Sequence, residues 1–331
     1  MTRDNPAIFS RRRLVGTAAL LATGLGALPQ ARAQAAYPSK PVRVVVAFTA
    51  GGTTDILARA VAQKLGEKFK QSFIIDNKPG GGGNIGTEFV VRAPADGYTL
   101  IVNSVGPMAV NQTLYKNMSY DPLTDLVPVV QIADVPNVLV VHPDLPVKTL
   151  DEFIAYARAN PNKLNYGSTG VGTSSHLSSF MLSKRVGAET LHVPYKGANA
   201  LNDLLAGRVQ FMFATIPSVI AHIQAGKLRA IAVSSPKRSR SMPDVPTVAE
   251  KGFPGFSAGS WFGFFAPKGT PGPVIALLNT SVNEALPSLQ AQMIREGADP
   301  VGGSPGQFGK FARSEYEKWK LIVHESGATA E

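Results

Sequence analysis

Two segments that combine glycine with hydroxyl residues have the clearest potential for chemistry. Residues 51–55 (GGTTD) follow an apolar run and open a helical pattern, and residues 167–176 (GSTGVGTSSH) repeat that order further along. A helix N-terminus presents unpaired N–H groups and about half a positive charge, so it binds anions, and glycine lets a ligand approach the backbone closely. The two segments predict an anion site, although the same pattern is equally typical of plain turns between strand and helix.

A third segment, residues 255–259, matches the G-x-S-x-G pattern of serine hydrolases. Asp299 and His324 follow Ser257 in the chain order of the α/β-hydrolases. The serine of such an enzyme stands on a turn between a strand and a helix, whereas the aromatic run at 261–265 predicts a strand directly after this serine. A periplasmic serine hydrolase built on Ser257, Asp299 and His324 is therefore kept only as an alternative.

Metal, thiol and dinucleotide chemistry are not predicted. The chain has no cysteine, which excludes thiolate zinc sites, disulfides and a cysteine nucleophile. The five histidines are scattered, and only His176 lies beside a glycine segment, where contact with a ligand stays open. Neither glycine segment has the Gly-Lys-Ser/Thr ending of a P-loop or the G-x-G-x-x-G spacing of a dinucleotide site. We expect no cofactor and no bound metal.

The first 33 residues have the composition of a secretory signal peptide. A basic run at 10–13 precedes the uncharged stretch 14–28, and small residues follow, which is the order found in exported proteins. The stretch is shorter than the ~20 apolar residues that a membrane span needs. We expect cleavage near Ala33 or Ala35 and export to the periplasm, by either the general or the twin-arginine route.

The formal net charge of +10 does not indicate nucleic-acid binding. Five arginines and one aspartate lie within residues 1–33 and leave with the signal peptide. The rest of the chain has no dense basic stripe with interleaved aromatic residues, the pattern typical of nucleic-acid binding. No nucleic-acid partner is expected.

Apolar β-branched runs alternate with amphipathic patterns along the remaining chain, and the 331 residues are enough for two domains. Runs such as 42–48 predict buried strands, and apolar residues at spacing four, as in 57–69, predict helices. Thr149 and Glu152 predict a capping box. The C-terminal part is helical instead, with a break expected at Pro287. This alternation indicates an α/β fold in which mostly parallel sheets are flanked by helices.

Several further motifs occur in a fixed order along the chain. They are FTAGGTTD at 48–55, NKPGGGGNIG at 77–86, ADGYTL at 95–100, NYGSTGVGT at 165–173, VPYKG at 193–197, DLLAG at 203–207, GKLRAIAV at 226–233 and APKGTP at 266–271. In these motifs the sequence closely resembles the substrate-binding proteins of tripartite tricarboxylate transporters, the Bug/TctC family. The ordered series covers nearly the whole chain after the signal peptide, which makes the resemblance specific.

The resemblance implies a two-lobed periplasmic binding protein of type II, the Venus-flytrap kind, with two hinge crossings. Lobe 1 then comprises residues 34–137 and 262–331, and lobe 2 comprises residues 138–261. The resemblance also implies a non-enzymatic monomer that captures a small carboxylate between its lobes and delivers it to a large and a small membrane permease subunit. A ligand sensor for a membrane kinase would use the same cleft and stays an alternative.

Ligand-binding residues are implied by position in the family motifs. The first loop supplies Phe48, Gly51, Gly52, Thr53 and Asp55, the second supplies Ser168, Thr169, Gly172, Thr173 and Ser174, and Asn84, Ser104, Tyr195 and Asp203 are further candidates. Ala50 stands where the family usually has proline, a residue that fixes φ, so a looser first loop is expected. The identity of the carboxylate stays open, and selectivity is expected at the strand ends, 103–108 and 214–218.

Overall fold

Eleven strands divide into two sheets within residues 37–326 and 328–330, the part of the chain that the computed structural model describes. The first four strands are β1 (Val42–Val46), β2 (Phe73–Asn77), β3 (Thr99–Ser104) and β4 (Leu126–Val135). The next five are β5 (Asn137–Val141), β6 (Leu164–Ser168), β7 (Thr190–Pro194), β8 (Phe211–Thr215) and β9 (Arg229–Val233), and the last two are β10 (Ser260–Pro267) and β11 (Asp299–Gly302). The middle five form one sheet, and the other six form a second sheet. The predicted signal peptide, with its cleavage sites near Ala33 and Ala35, lies outside the described residues.

Ten α-helices in the described residues connect and flank these strands. They are α1 (Thr53–Phe69), α2 (Asn84–Val91), α3 (Asn111–Leu114), α4 (Pro122–Asp125), α5 (Leu150–Ala159), α6 (Ser174–Val186), α7 (Asn199–Leu205), α8 (Ile216–Gln224), α9 (Gly272–Arg295) and α10 (Pro305–Ser326). Single turns of other helix types occur at Gly81–Gly83, Gly106–Val110 and Ala249–Lys251. None of the described helices is both long and apolar enough to cross a membrane.

Local sequence explains most of these elements. Helix α1 buries Leu57, Val61 and Leu65 at the predicted spacing of four. Half of the predicted capping box is confirmed at α5, where the Glu152 N–H donates to Thr149 Oγ1 at 3.2 Å. The Glu152 carboxylate accepts from the Lys148 N–H at 2.6 Å instead of from the Thr149 N–H that a reciprocal box requires. These elements therefore follow from patterns that lie within one segment of chain.

The break predicted at Pro287 is wrong, because α9 continues through it to Arg295. Proline removes one helical hydrogen bond and usually ends or kinks a helix. Leu286, before Pro287, and Leu289, after it, are both buried. Packing of the apolar face of α9 therefore outweighs the hydrogen bond that Pro287 removes.

The sheets are mixed, which corrects the prediction that they are mostly parallel. The strand orders are β11-β4-β10-β3-β1-β2 and β7-β6-β8-β5-β9. Strand β1 pairs in parallel with β2 and β3, and β6 pairs in parallel with β7 and β8, as expected of strands joined through helices. Strands β5 and β10 are antiparallel to all their neighbours. Each of them enters its sheet directly from the other sheet, so no crossover helix sets its direction.

The chain passes between the sheets twice, once after β4 and once between β9 and β10. A buried polar cluster joins the two passages. The Ala258 carbonyl oxygen, on the second passage, accepts from Asn137 Nδ2 at 2.8 Å, from Ser178 Oγ at 2.9 Å and from Ser234 Oγ at 3.0 Å. Asn137 stands on the first passage, so these bonds, which we call the hinge cluster, hold the two passages side by side.

The lobe boundaries predicted from the sequence, 34–137 with 262–331 and 138–261, remain a proposal. The division of the strands between the two sheets supports this proposal, since the chain passes from one sheet to the other close to residues 137 and 261. Two details differ from the proposal: Asn137 pairs with Thr215 in the five-stranded sheet, and Ser260 and Trp261 pair with Val135 and Asp134 in the six-stranded sheet. We use lobe 1 for the part built on the six-stranded sheet and lobe 2 for the other part.

Three aromatic rings stack beneath the glycine segment of lobe 2. The His192 ring lies 4.0 Å from the ring of His176 and 4.9 Å from that of Tyr166. Burial lowers the pKa of His176 to about 3, with the neighbouring His192 contributing, and burial lowers the pKa of His192 to about 4. His176 Nδ1 accepts from the Gly172 N–H at 3.3 Å, and His192 Nε2 bonds Ser168 Oγ at 2.7 Å. Both rings are therefore neutral in the folded protein, and His176 needs that state to accept its bond.

We predict that the free energy of unfolding falls as the pH is lowered below about 6.5, the ordinary histidine pKa. In that range the unfolded chain protonates His176 and His192 while the folded protein keeps them neutral, so the unfolded state binds more protons and gains relative stability. Each histidine contributes a slope of up to about 1.4 kcal/mol per pH unit until the pH reaches its folded-state pKa. Urea unfolding curves across this pH range measure the slope.

The matched comparison uses His324, which is exposed on α10. A His324→Gln variant should keep the slope of the wild type, and a His176→Gln/His192→Gln double variant should lose much of it. A double variant with an unchanged slope would contradict the assignment.

Candidate functional site

A cavity of about 50 Å³ lies between the sheets, several times the space that one water needs. Lobe 1 contributes Phe48, Gly52, Thr53, Thr54, Ser104, Ser260 and Phe262, and lobe 2 contributes Thr169, Thr173, Ser174, Gly197, Ala198 and Thr215. Most of these residues follow the carboxyl end of a parallel strand, where open α/β sheets place their ligands. None of them has a charged side chain. The cavity is thus a hydroxyl-lined and amide-lined space with two aromatic rings.

The first loop connects β1 to α1 and turns sharply at Gly51, whose φ of 82° favours glycine. Gly52 is the N-cap residue of α1 and has no side chain that could cap the helix. The first-turn N–H groups of a helix have no partner within it, and Thr53 and Thr54, both in this turn, line the cavity. The first loop therefore presents backbone N–H donors and two hydroxyl groups to the cavity.

Asp55 shapes this loop from behind. Its carboxylate accepts from the Gly51 N–H at 3.0 Å, from Arg59 Nε at 2.9 Å and from Asn77 Nδ2 at 3.0 Å. Burial raises its pKa, but these three hydrogen bonds outweigh burial and hold the pKa below the ordinary value. Asn77 also donates to the Phe48 carbonyl oxygen at 3.0 Å. Asp55 is thus ionised, fully engaged within lobe 1, and positioned to fix the loop rather than to contact an anion.

The second loop connects β6 to α6 and is held by its own hydroxyls. Ser168 Oγ accepts from the Gly170 N–H at 3.2 Å, and Thr173 Oγ1 donates to the Gly170 carbonyl oxygen at 2.7 Å. Thr173 also caps α6, because its hydroxyl accepts from the His176 N–H at 3.4 Å. The Ser168 side chain is completely buried and does not line the cavity. Thr169, Thr173 and the first residue of α6, Ser174, face the cavity instead.

Helix α8 also begins at the cavity but offers few amides. Its first N–H, that of Ile216, donates to the Pro136 carbonyl oxygen at 3.2 Å, and its second residue is Pro217, which has no N–H. What this end contributes is the hydroxyl of Thr215, the N-cap residue. Two helix N-termini rich in free amides, those of α1 and α6, therefore face the cavity from opposite lobes.

The two lobes touch directly around the cavity. Thr53 Oγ1 bonds Thr215 Oγ1 at 2.7 Å, and the Ala198 N–H donates to Thr49 Oγ1 at 2.7 Å. Beside the cavity, a Cβ on Gly82 would overlap the Val171 carbonyl oxygen of the other lobe. A Cβ on Gly172 would likewise overlap the side chain of Asn111. Glycine thus permits backbone from the two lobes to meet without intervening side chains.

The predicted site residues divide into two groups. Seven line the cavity, namely Phe48, Gly52, Thr53, Ser104, Thr169, Thr173 and Ser174, and seven do not, namely Gly51, Asp55, Asn84, Ser168, Gly172, Tyr195 and Asp203. In the second group, Gly51, Asp55, Ser168 and Gly172 shape the two loops. Asn84 accepts from Asn111 Nδ2 at 2.6 Å and from Tyr120 OH at 2.9 Å. Direct contact with a ligand stays a prediction for all fourteen.

Tyr195 and Asp203 bond each other away from the cavity. Tyr195 OH donates to Asp203 Oδ2 at 2.6 Å, and Arg208 Nε donates to Asp203 Oδ1 at 2.9 Å. Burial and the hydrogen bond to Asp203 raise the pKa of Tyr195 to about 12, and the bonds from Arg208 and Tyr195 lower that of Asp203. This pair therefore stabilises the turn that leads into α7.

Six lining residues were missed by sequence reasoning: Thr54, Gly197, Ala198, Thr215, Ser260 and Phe262. Gly197 lies in one of the family motifs, and Thr215 lies in the strand end singled out for selectivity. Ser260 and Phe262 gave no such indication, because β10 reaches the cavity only through its antiparallel pairing with β3.

The alternative hydrolase residues do not form a triad. Ser257 lies in an irregular segment that leads into strand β10, so the required helix after the serine is absent there. Asp299 accepts from Arg240 Nε at 2.9 Å, and His324 is exposed on α10. Within residues 37–326 no hydrogen bond joins Ser257, Asp299 and His324. The G-x-S-x-G match is therefore fortuitous in its structural context.

Comparison with known proteins places this architecture among characterised relatives. The family model described as "Tripartite tricarboxylate transporter family receptor" (TctC) matches residues 57–328. Protein BugT of Bordetella pertussis is 40% identical over 296 residues, which cover 88% of this chain and 91% of BugT. A protein of R. palustris solved with adipate has a TM-score of 0.87 at 41% identity, with 88% of this chain and 99% of that chain covered. MatC from Rhodopseudomonas palustris, solved with bound malate, has a TM-score of 0.83 at 32% identity, with 87% and 100% covered.

The comparisons confirm the fold class predicted from the sequence, an α/β, two-lobed periplasmic binding protein, and with it the resemblance on which that prediction rested. Because the family model spans most of the chain and BugT is similar over most of its length, this protein belongs to the TctC family of tripartite tricarboxylate transporter receptors.

Proposed function

We propose that this protein is a periplasmic solute-binding protein that captures a small carboxylate in the cavity between its lobes and delivers it to a tripartite tricarboxylate-type transporter. The membrane partners are then a large and a small permease subunit. The protein acts as an exported monomer, without cofactor and without catalysis. The ligand is released chemically unchanged.

One observation carries this proposal: the N-termini of α1 and α6 face one cavity from opposite lobes, and no charged side chain lines it. Backbone N–H groups and hydroxyls donate hydrogen bonds, and helix N-termini favour negative charge. A carboxylate satisfies several such donors at once. A cationic ligand would meet no carboxylate among the lining residues, so the site selects anions.

The number of donors is sufficient for useful affinity. A micromolar ligand needs about −8 kcal/mol, and a hydrogen bond to a charged group contributes about 1.5–3 kcal/mol. Four or five bonds from the first turns of α1 and α6 and from their hydroxyls reach that value, before ordering costs of several kcal/mol. Aromatic contact with Phe48 and Phe262 adds to it.

Two relatives support the carboxylate assignment. The R. palustris protein was solved with adipate and MatC with malate, and both superimpose on this chain over nearly their whole length. Delivery to a permease is supported by the family and by the contacts between the lobes. A ligand that bridges α1 and α6 favours the closed arrangement, and a membrane partner that recognises this arrangement receives only loaded protein.

Native mass spectrometry of freshly purified mature protein, followed by calorimetry with a panel of carboxylates, tests the proposal. We expect a co-purified small acid or micromolar binding of at least one panel member. Absence of binding by every carboxylate, together with tight binding of a cationic or neutral solute, would refute it.

Replacing Thr53 tests the first loop. We predict that Thr53→Ala weakens carboxylate binding by about 1–3 kcal/mol, because it removes a hydroxyl that lines the cavity and bonds Thr215 across it. The thermal unfolding midpoint should change little. Thr124→Ala, at an exposed position of α4, is the control and should bind like the wild type. Equal affinities of the two variants would exclude Thr53 from the site.

Replacing Gly82 tests closure of the lobes. Gly82→Ala places a methyl group against Val171 of the other lobe, so we expect about tenfold weaker binding and a smaller ligand-induced decrease in the X-ray scattering radius. The matched control is Gly226→Ala. Gly226 has a φ of 69°, close to the 62° of Gly82, but a methyl group there meets nothing within 4 Å.

Both variants place alanine at a similar positive φ, so a difference between them reports the contacts of the Gly82 methyl group. The tightest of these is with Val171 of the other lobe, and the next is with Tyr115 OH of the same lobe at 3.0 Å. If Gly82→Ala and Gly226→Ala bind equally well and compact equally on binding, the contact at Gly82 has no part in closure.

A further inference from the structure

Five buried side-chain atoms within residues 37–326 and 328–330 have no hydrogen-bond partner, and three of them lie on consecutive residues of α3. These three atoms are Asn111 Oδ1, Gln112 Oε1 and Thr113 Oγ1. Asn111 is the most deeply buried of the three residues, with an exposed fraction of 0%. A buried acceptor without a donor is unfavourable, so Asn111 Oδ1 is held in its place at a cost in free energy.

Asn111 lies where the two lobes meet. Helix α3 belongs to lobe 1, and a Cβ on Gly172 of lobe 2 would overlap Asn111 Oδ1. The turn that precedes α3 reaches the same place, because a Cβ on Gly106 would lie 3.3 Å from the Gly172 carbonyl oxygen. The backbone of the second loop therefore covers Asn111 Oδ1 in this arrangement of the lobes.

Two N–H groups of the second loop at this contact are bonded within lobe 2. The Gly172 N–H donates to His176 Nδ1 at 3.3 Å, and the Thr173 N–H donates to the Gly170 carbonyl oxygen at 3.3 Å. Neither of them is free to pair with the oxygen of Asn111. The contact therefore brings a carbonyl oxygen of lobe 1 against backbone whose donors are already used.

The Asn111 amide cannot turn to improve this contact. Its Nδ2 donates to Asn84 Oδ1 at 2.6 Å and to the Gly82 carbonyl oxygen at 3.3 Å. Turning the amide would place Oδ1 against the Gly82 carbonyl oxygen, which can only accept. Asn84 Oδ1 also accepts from Tyr120 OH at 2.9 Å. Since Gly82, Asn84 and Tyr120 all belong to lobe 1, these bonds fix the amide whether the lobes are together or apart.

We propose that Asn111 opposes closure of the lobes, so that the protein stays open until a ligand occupies the cavity. When the lobes separate, water reaches Asn111 Oδ1 and donates to it. Closure removes that water and supplies no donor in its place, so the closed arrangement is less populated without ligand. This inference rests on the proposed function, in which a carboxylate that joins α1 and α6 provides the free energy for closure. A receptor that stays open when empty does not occupy the membrane partner without cargo.

Removing the acceptor tests this role. Asn111→Ala should make the ligand-free protein more compact in X-ray scattering. It should also bind carboxylates about tenfold more tightly, because less of the binding free energy is used to close the lobes. The gain should be the same for every acid that the wild type binds, since Asn111 does not line the cavity. Asn111→Val, a larger apolar replacement, should act in the same direction, and thermal unfolding checks that both variants fold.

Two comparison variants isolate the contribution of the oxygen. Asn84→Ala removes the bond from Asn111 Nδ2 but leaves Asn111 Oδ1 in place, so it should bind carboxylates no more tightly than the wild type. Ser281→Ala removes another buried oxygen without a partner, on α9 within lobe 1. It should leave both the scattering radius and the affinity unchanged, because Ser281 is not at the contact between the lobes.

The scattering radius of the ligand-free protein is measured without any ligand, so the two proposals can fail separately. An unchanged radius or an unchanged affinity in Asn111→Ala refutes the role of Asn111 while the carboxylate receptor stands, and so does an equal gain in Asn84→Ala. If Asn111→Ala is more compact but neither it nor the wild type binds any acid of the panel, Asn111 opposes closure as proposed and the carboxylate function fails.

Discussion

An anion that is buried without a cationic side chain has to be stabilised by dipoles from more than one direction. This constraint determines how the groups that line the cavity are arranged. Helices α1 and α6 supply those dipoles from opposite lobes. The one carboxylate in the first turn of α1, Asp55, would repel an anion if it faced the cavity. It faces Gly51 and Asn77 instead, and Arg59 neutralises it. The acidic residue thus strengthens the loop that carries the amides while its own field is compensated.

The same constraint explains where glycine is needed. Amides can surround a small ligand only if the backbone of each lobe approaches the other closely, and a Cβ at Gly82, Gly172 or Gly197 would meet atoms of the opposite lobe. Gly51 and Gly172 also adopt φ values of 82° and 81°, which turn the chain from strand into helix. The glycine-rich motifs of the sequence are therefore a consequence of two backbones meeting at one place.

Much of this architecture could be predicted from local sequence, because strand and helix patterns and the helix cap at Thr149 depend on neighbouring residues only. The antiparallel direction of β5 and β10 could not, since it follows from how the chain passes between sheets. Ser260 and Phe262 were missed for the same reason: their strand, β10, reaches the cavity through the pairing of Phe262 with Ser104, a residue far away in the sequence. Asp55 was predicted as a ligand-binding residue. Its contacts with Arg59 and Asn77 depend on the tertiary structure, and they show that it stabilises the first loop.

Hydrogen bonds also connect the cavity to the hinge. Ser174 lines the cavity and bonds Asn137 Oδ1, and Asn137 Nδ2 donates to the Ala258 carbonyl oxygen in the hinge cluster. Ser178, one turn further along α6, donates to the same oxygen. Helix α6 is thus anchored at its N-terminal end to both passages of the chain. A helix fixed in this way moves with its lobe as one rigid part, so a ligand that draws α6 towards α1 acts on the hinge itself rather than on a flexible loop.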